Sequence, residues 1–228
     1  MNFDLKKTAI LQAVRRDKFF IFKLASFFKS LFLFLFIFSL ILFLASFVDL
    51  TSGRITIKMT VLFFVLFLGF WDLFLFKEIK IKKPEISGKL SDVISNLDEY
   101  NLAEFLSFGA AKIIDDSIKF CAKKRIGISS TALFYSCIEA GEGISIISFR
   151  LGIDTKKLEI DLKNYLEKTP KQNDISQVFC DDFQNTIKEA AKISSGRGLN
   201  SIGEKEVFVA LARCDSFFKK VLVEYDLK

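Results

Sequence analysis

The sequence predicts an all-α protein in two parts: a two-helix transmembrane hairpin, then a helical domain of two tandem four-helix repeats, the second lacking its last helix. Three observations lead there. Two apolar runs, residues 31–48 and 59–76, are each about as long as a helix must be to cross the hydrocarbon core. Beyond residue 98 apolar side chains recur at three- and four-residue steps. The order of helices and turns in that region then recurs about 74 residues later.

The first span reads LFLFLFIFSLILFLASFV, with no charge between Lys29 and Asp49, and the second reads MTVLFFVLFLGFWDLFLF. A helix is required in lipid because the backbone finds no water there, which overrides the β-favouring content of Phe and Ile. Residues 49–58, DLTSGRITIK, form a short external loop. Residues 1–30 form a basic cytoplasmic or interfacial segment, in which 8–28 read either as an amphipathic helix on the anionic leaflet or as an extension of the first span. Residues 77–97 are a basic linker. The flanks carry Lys6, Lys7, Arg15, Arg16, Lys18, Lys23 and Lys29 before the hairpin and Lys77, Lys80, Lys82 and Lys83 after it; the loop has only Arg54 and Lys58. The positive-inside rule therefore places both termini in the cytoplasm, as a two-span protein of the inner cell membrane. A charged region of about thirty residues before the first span argues against a cleaved signal peptide. Asp72 is the one charge inside a span, where a central carboxylate costs roughly 2.5–3.5 kcal/mol. Snorkelling towards Lys77 and an ion-handling role are the two accounts of it.

Composition supports this division. The net charge of +6 separates into 13 basic against five acidic residues in 1–83, and 20 against 22 in 84–228. Basicity thus belongs to the flanks of the spans, and the remaining domain has no basic stripe for nucleic acid. No His occurs, which removes His-ligated metals, Ser-His and Cys-His nucleophile pairs and a His general base. Cys121, Cys137, Cys180 and Cys214 are widely spaced and read as reduced core residues. Asp115-Asp116 and Asp181-Asp182 are adjacent pairs that diverge on a helix and read as solvated. No cofactor or metal site and no catalytic constellation emerges.

The first repeat, 98–168, opens with Leu102, Phe105, Leu106, Ile113, Ile114, Ile118 and Cys121 on one helical face ending near Lys124. The turn IGISS precedes TALFYSCI, a helix that Ser129 or Ser130 caps and Gly141 closes. SIISFRLG is a third helix; Asp154 begins a fourth with Leu158, Leu162 and Leu166 on one face. A linker, 169–178, contains Pro170. The second repeat, 179–228, carries Phe183, Ile187, Ala190, Ala191 and Ser194 on its first helix. SIGEKEVFVALARC then matches GISSTALFYSCIEA, and DSFFKKVLVEYDL matches EGISIISFRLGID.

The residues Ile128 to Phe134, then Glu142-Gly143 and Leu151-Gly152-Ile153-Asp154, and again Ile202 to Leu211, resemble the N-terminal double repeat (Clp repeat) of Clp-type AAA+ ATPases over about 130 residues. The resemblance implies a docking domain for unfolded or tagged proteins or for an adaptor, working with AAA+ modules of the same longer chain and a peptidase ring. The positions of the family's Thr-Glu-His read Ser130-Thr131-Ala132 and Glu204-Lys205-Glu206, so neither copy keeps its Glu, which in some members binds charged peptide groups. Ser130, Thr131, Glu204 and Lys205 are the protein-binding residues implied. The fourth helix of the second copy is expected beyond Lys228, in a longer polypeptide. These residues hold no G-x-x-x-x-G-K-[ST] loop and are not expected to hydrolyse ATP. A stand-alone membrane scaffold or sensor built on the same repeat is the alternative function.

Overall fold

The computed structural model describes residues 2–45, 53–81, 88–95, 99–140, 142–171 and 179–224. Among them the regular elements are helical, with two isolated β-bridges. Residues 46–52, 82–87, 96–98 and 172–178, with Met1, Gly141 and Tyr225 to Lys228, lie outside the described residues. The expected external loop 49–58 is shorter than the sequence reading, because its residues from Gly53 onward are already helical. The chain divides into two compact units, residues 12–84 and residues 1–11 with 85–228.

The hairpin unit contains most of α1 (Ala9–Asp17), then α2 (Phe20–Ala45) and α3 (Gly53–Phe76). Stretches Leu24–Ala45 and Thr56–Lys80 are long and apolar enough to cross a membrane. Their ring contacts run in opposite orders along the two helices, so they pack antiparallel: Phe28 and Phe32 meet Phe70 at 5.1 and 5.3 Å, and Phe36 meets Phe64 at 5.0 Å. Apolar side chains also face outward, as at Phe34, Ile41 and Val65, the pattern of a helix whose surroundings are apolar. The first apolar stretch starts earlier than the sequence reading, because Lys29 does not interrupt it. Its ammonium rests over the rings of Trp71 and Phe74 at 5.0 and 3.7 Å. Lys77 pairs with Asp17 at 2.9 Å and donates to the Phe22 carbonyl at 3.3 Å; Asp72 is exposed. Lys77 begins a π-helical turn, Lys77–Ile81.

The helical unit starts with residues that the sequence reading assigns to a separate basic segment. Asn101 accepts from the Asp4 amide at 2.9 Å and donates to the Asp4 carbonyl at 2.8 Å. Phe3 meets Phe179 and Phe183 edge-on at 5.3 and 5.6 Å. Thr8 accepts from the Leu11 amide at the start of α1, and Leu5, Ile10 and Leu11 are buried. The amphipathic pattern of α1 thus serves the protein interior. The linker also holds a helix that is too short to show a period: α4 (Leu90–Ser95) buries Leu90 and Val93 and packs on α9 (Asp181–Gly196).

The expected helices follow: α5 (Phe108–Lys124), α6 (Ser130–Ala140), α7 (Glu142–Arg150), α8 (Thr155–Glu167), then α9, α10 (Glu204–Cys214) and α11 (Ser216–Glu224). Leu102–Phe105 is a separate 3-10 turn rather than the start of α5. Ser129 accepts from the Ala132 amide, and Asp154 accepts from the amides of Lys156 and Lys157, as cap chemistry requires. Leu158, Leu162 and Leu166 are buried. Helix α6 is buried from Ser130 to Ile138 and forms the centre of the unit, where Phe134 stacks on Phe218 at 4.1 Å beside Phe208. The two helix pairs interlock at their entrances. The segment entering α5 bridges to the one entering α10 (Leu106 with Ile202), and the segment entering α6 bridges to the one entering α9 (Ile128 with Phe179). Ile202 donates to the Phe105 carbonyl at 2.7 Å, and Cys180 to the Ile128 carbonyl at 3.0 Å. The bridges satisfy backbone groups that the helix starts leave over.

Candidate functional site at the paired helix starts

Four residues nominated from the sequence lie at the starts of α6 and α10, helices that pack on each other. Their environments differ. Ser130 is 1% exposed and Thr131 6% exposed, Glu204 is half-buried, and Lys205 is exposed.

The two hydroxyls are committed to the interior. Ser130 Oγ lies between two carboxylates, donating to Asp215 Oδ2 at 2.6 Å and Asp182 Oδ2 at 2.7 Å, so its single proton is shared. Asp182 also accepts from the Ser130 amide at 2.9 Å, satisfying an N–H of the first turn of α6. Thr131 Oγ1 donates to Asp215 Oδ2 at 2.8 Å, and the other Asp215 oxygen accepts from the Phe218 amide at 2.7 Å. Asp215 is therefore the N-cap of α11 and a cross-brace between α11 and α6. It is 1% exposed, and those donors are what make its burial tolerable.

The matching corner is built with the acid on the opposite partner. A Cβ placed on Gly109, in the first turn of α5, would collide with Glu204 Oε1, so the Glu204 carboxylate lies against the α5 backbone. Gly109 and Asp182 each hold the second position of their helices, and Ser130 and Glu204 each hold the first. One corner thus pairs Asp182 of α9 with Ser130 of α6, and the other pairs Glu204 of α10 with Gly109 of α5. The carboxylates sit at helix starts, where the dipole favours them. Deeper in α10, Glu206 is buried and pairs with Arg197 at 2.8 Å.

Sequence reasoning misses Asp182 and Asp215. The motif Asp-Ser-Phe-Phe at 215–218 carries a cap signature, but nothing local reveals that the same carboxylate reaches Ser130 and Thr131. One acid of each adjacent pair read as solvated proves structural, for Asp115 is 5% exposed and pairs with Lys119, and Asp182 holds α6, whereas Asp181 is exposed.

Burial pushes the Cys121 thiol up to about 12 and the Cys137 thiol well above its ordinary range, so neither supplies a thiolate at neutral pH. Cys180 and Cys214, half-buried, are also raised by burial and then by neighbouring acids. Among the described residues no group of three or more His, Cys, Asp or Glu is arranged to hold a metal. In comparison with known proteins, the chain matches no protein-family model and no curated protein sequence.

Proposed function

We propose that this protein is a membrane-anchored docking domain of the Clp N-terminal type, which holds protein substrates or an adaptor at the cytoplasmic membrane face for an AAA+ unfoldase. The observation that carries the reading is the interlocked pair of helix pairs, α5–α6 and α9–α10, with reciprocal bridges at their entrances. Two copies of one supersecondary unit share a core, and loops and helix ends are left for partners. Helix α7 adds an apolar surface, with Phe149 80% exposed beside Ile146 and Leu151. Exposed patches of this kind mark interaction sites.

Two observations support the anchoring. The stretches in α2 and α3 have the length and hydropathy of spans. Residues 1–11 and 85–228 form one unit, so a hairpin that crosses the bilayer must return both flanks to the same side, and the basic flanks make that side the cytoplasm.

The test is photo-crosslinking of the full chain in native membranes, with a photoreactive residue at Lys205 or at Phe149. Capture of an unfoldase, its adaptor or unfolded clients is the expected result. Membrane proteins of one fixed identity, with no chaperone component, would favour the stand-alone scaffold. Labelled protein recovered from the soluble fraction would remove the anchor.

A further inference from the structure

We propose that the cleft between the C-terminal ends of α5 and α8 binds acidic peptide segments. It encloses about 490 Å³, within the range of roughly 300–1,000 Å³ usual for ligand pockets. Lys123, Lys124, Arg125 and Lys171 line it, opposed by one acid, Glu167, over a floor of Ile126 and Leu166. Residues 84–228 are otherwise slightly acidic, so four cations in one recess do not follow from composition. The site is at the end of α5 remote from Gly109 and Glu204, and the inference does not rest on the docking surface at α6 and α10.

Basic residues at helix C-termini also complement the helix dipole, which accounts for Lys123 and Lys124. It does not account for Lys171, which lies beyond α8, or for Arg125. Arg125 takes the left-handed conformation at φ 58°, where glycine is the residue of least strain. A glycine there would relieve the backbone and delete the cation. The cleft already holds one carboxylate: Lys124 donates to Glu167 Oε1 at 3.0 Å, and that hydrogen bond and charge lower the Glu167 pKa. Among the described residues, Lys123, Arg125 and Lys171 have no ion-pair partner. A peptide carrying two or three carboxylates would meet these cations and displace or join Glu167. A recess with an apolar floor suits a peptide better than it suits a plane of lipid headgroups, which is met by a flat or protruding basic face.

The experiment uses the full chain in zwitterionic nanodiscs and a fluorescein-labelled Leu-Glu-Glu-Leu-Glu-Glu peptide, with its glutamine counterpart as control. The acidic peptide binds, the control does not, and added salt abolishes binding. The triple variant K123Q/R125Q/K171Q weakens binding by at least about tenfold, and E167Q, which removes the internal competitor, tightens it about threefold. Arg125→Gly, suited to the left-handed backbone, weakens binding with an unchanged far-UV CD spectrum. Equal binding of both peptides, equal affinity of wild type and triple variant, or no binding by the wild type overturns the proposal. Peptide binding absent while anionic nanodiscs protect the cleft lysines from acetylation overturns it in favour of a lipid headgroup.

Discussion

Ser130 and Asp215, 85 residues apart in sequence, meet at 2.6 Å between the hydroxyl and a carboxylate that is itself 1% exposed. The contact joins the first turn of the central helix to the cap of the last described one. Asp215→Ala leaves the Thr131 hydroxyl and the Phe218 amide short of an acceptor, while the Ser130 hydroxyl keeps Asp182. With about 1–3 kcal/mol for orphaned buried donors and 0.5–2 for a lost cap, a loss of about 2–4 kcal/mol is expected. Urea denaturation of the detergent-solubilised chain measures it. Ser130→Ala and Thr131→Ala should each cost about 1 kcal/mol; a change in partner binding with stability intact would instead make these hydroxyls ligand contacts.

The opposite corner predicts a coupling. Glu204 lies where a Gly109 side chain would project, but its carboxylate is the far end of a flexible chain and can swing away. Gly109→Ala should therefore cost less than about 1 kcal/mol, because alanine's higher helix propensity offsets the displaced carboxylate. Against a Glu204→Ala background the same substitution should stabilise. A double-mutant cycle by thermal unfolding should show a coupling of at least about 0.5 kcal/mol; additive effects would mean that the contact carries no energy.

Phenylalanines separate by burial. Phe134 is fully buried and stacked on Phe218, so Phe134→Ala should destabilise by about 3–5 kcal/mol. Phe149 is 80% exposed, and Phe149→Ala should remain within about 0.5 kcal/mol of wild type while reducing any partner capture. Parallel denaturation curves decide both.

The buried thiols set an alkaline limit. Cys121 and Cys137 are held protonated by burial, whereas in the unfolded chain they ionise near 9. The folded state therefore binds more protons than the unfolded state above that pH. Stability should fall as pH rises beyond about 9, by up to about 1.4 kcal/mol per pH unit for each thiol. Cys121→Ser with Cys137→Ala should flatten the slope between pH 9 and 11. Below pH 8.5, a thiol reagent should label Cys180 and Cys214 faster than the buried pair.

Helix starts and apolar faces were legible because they are local. Ser129 and Asp154 cap the helices that follow them, and Leu158, Leu162 and Leu166 share a buried face, as their spacing requires. What the sequence concealed depends on distant partners. The sequence places Lys29 at the flank of a span, and only the antiparallel packing brings Trp71 and Phe74 beneath it. Helix α4 is shorter than two turns, so no period could reveal it. Asp182 and Asp215 look like ordinary polar residues until the tertiary fold brings Ser130 between them. Of the nominated site, the position at helix starts was readable, and the burial of its hydroxyls was not.

The docking of Phe3 against Phe179 and Phe183 has a consequence for how the protein is made. At about 5–20 residues per second, roughly 9–35 s of synthesis separate the first ring from its partners. In that interval both apolar helices leave the ribosome, and on the membrane-anchored reading the N-terminal segment would wait on the near side while the hairpin inserts. A signal or fusion that carried this segment across the bilayer would strand it from the aromatic pair that closes over it. Residues synthesised ahead of the apolar helices are thus secured only after both helices have been made, and on the membrane-anchored reading their docking would act as a checkpoint on insertion.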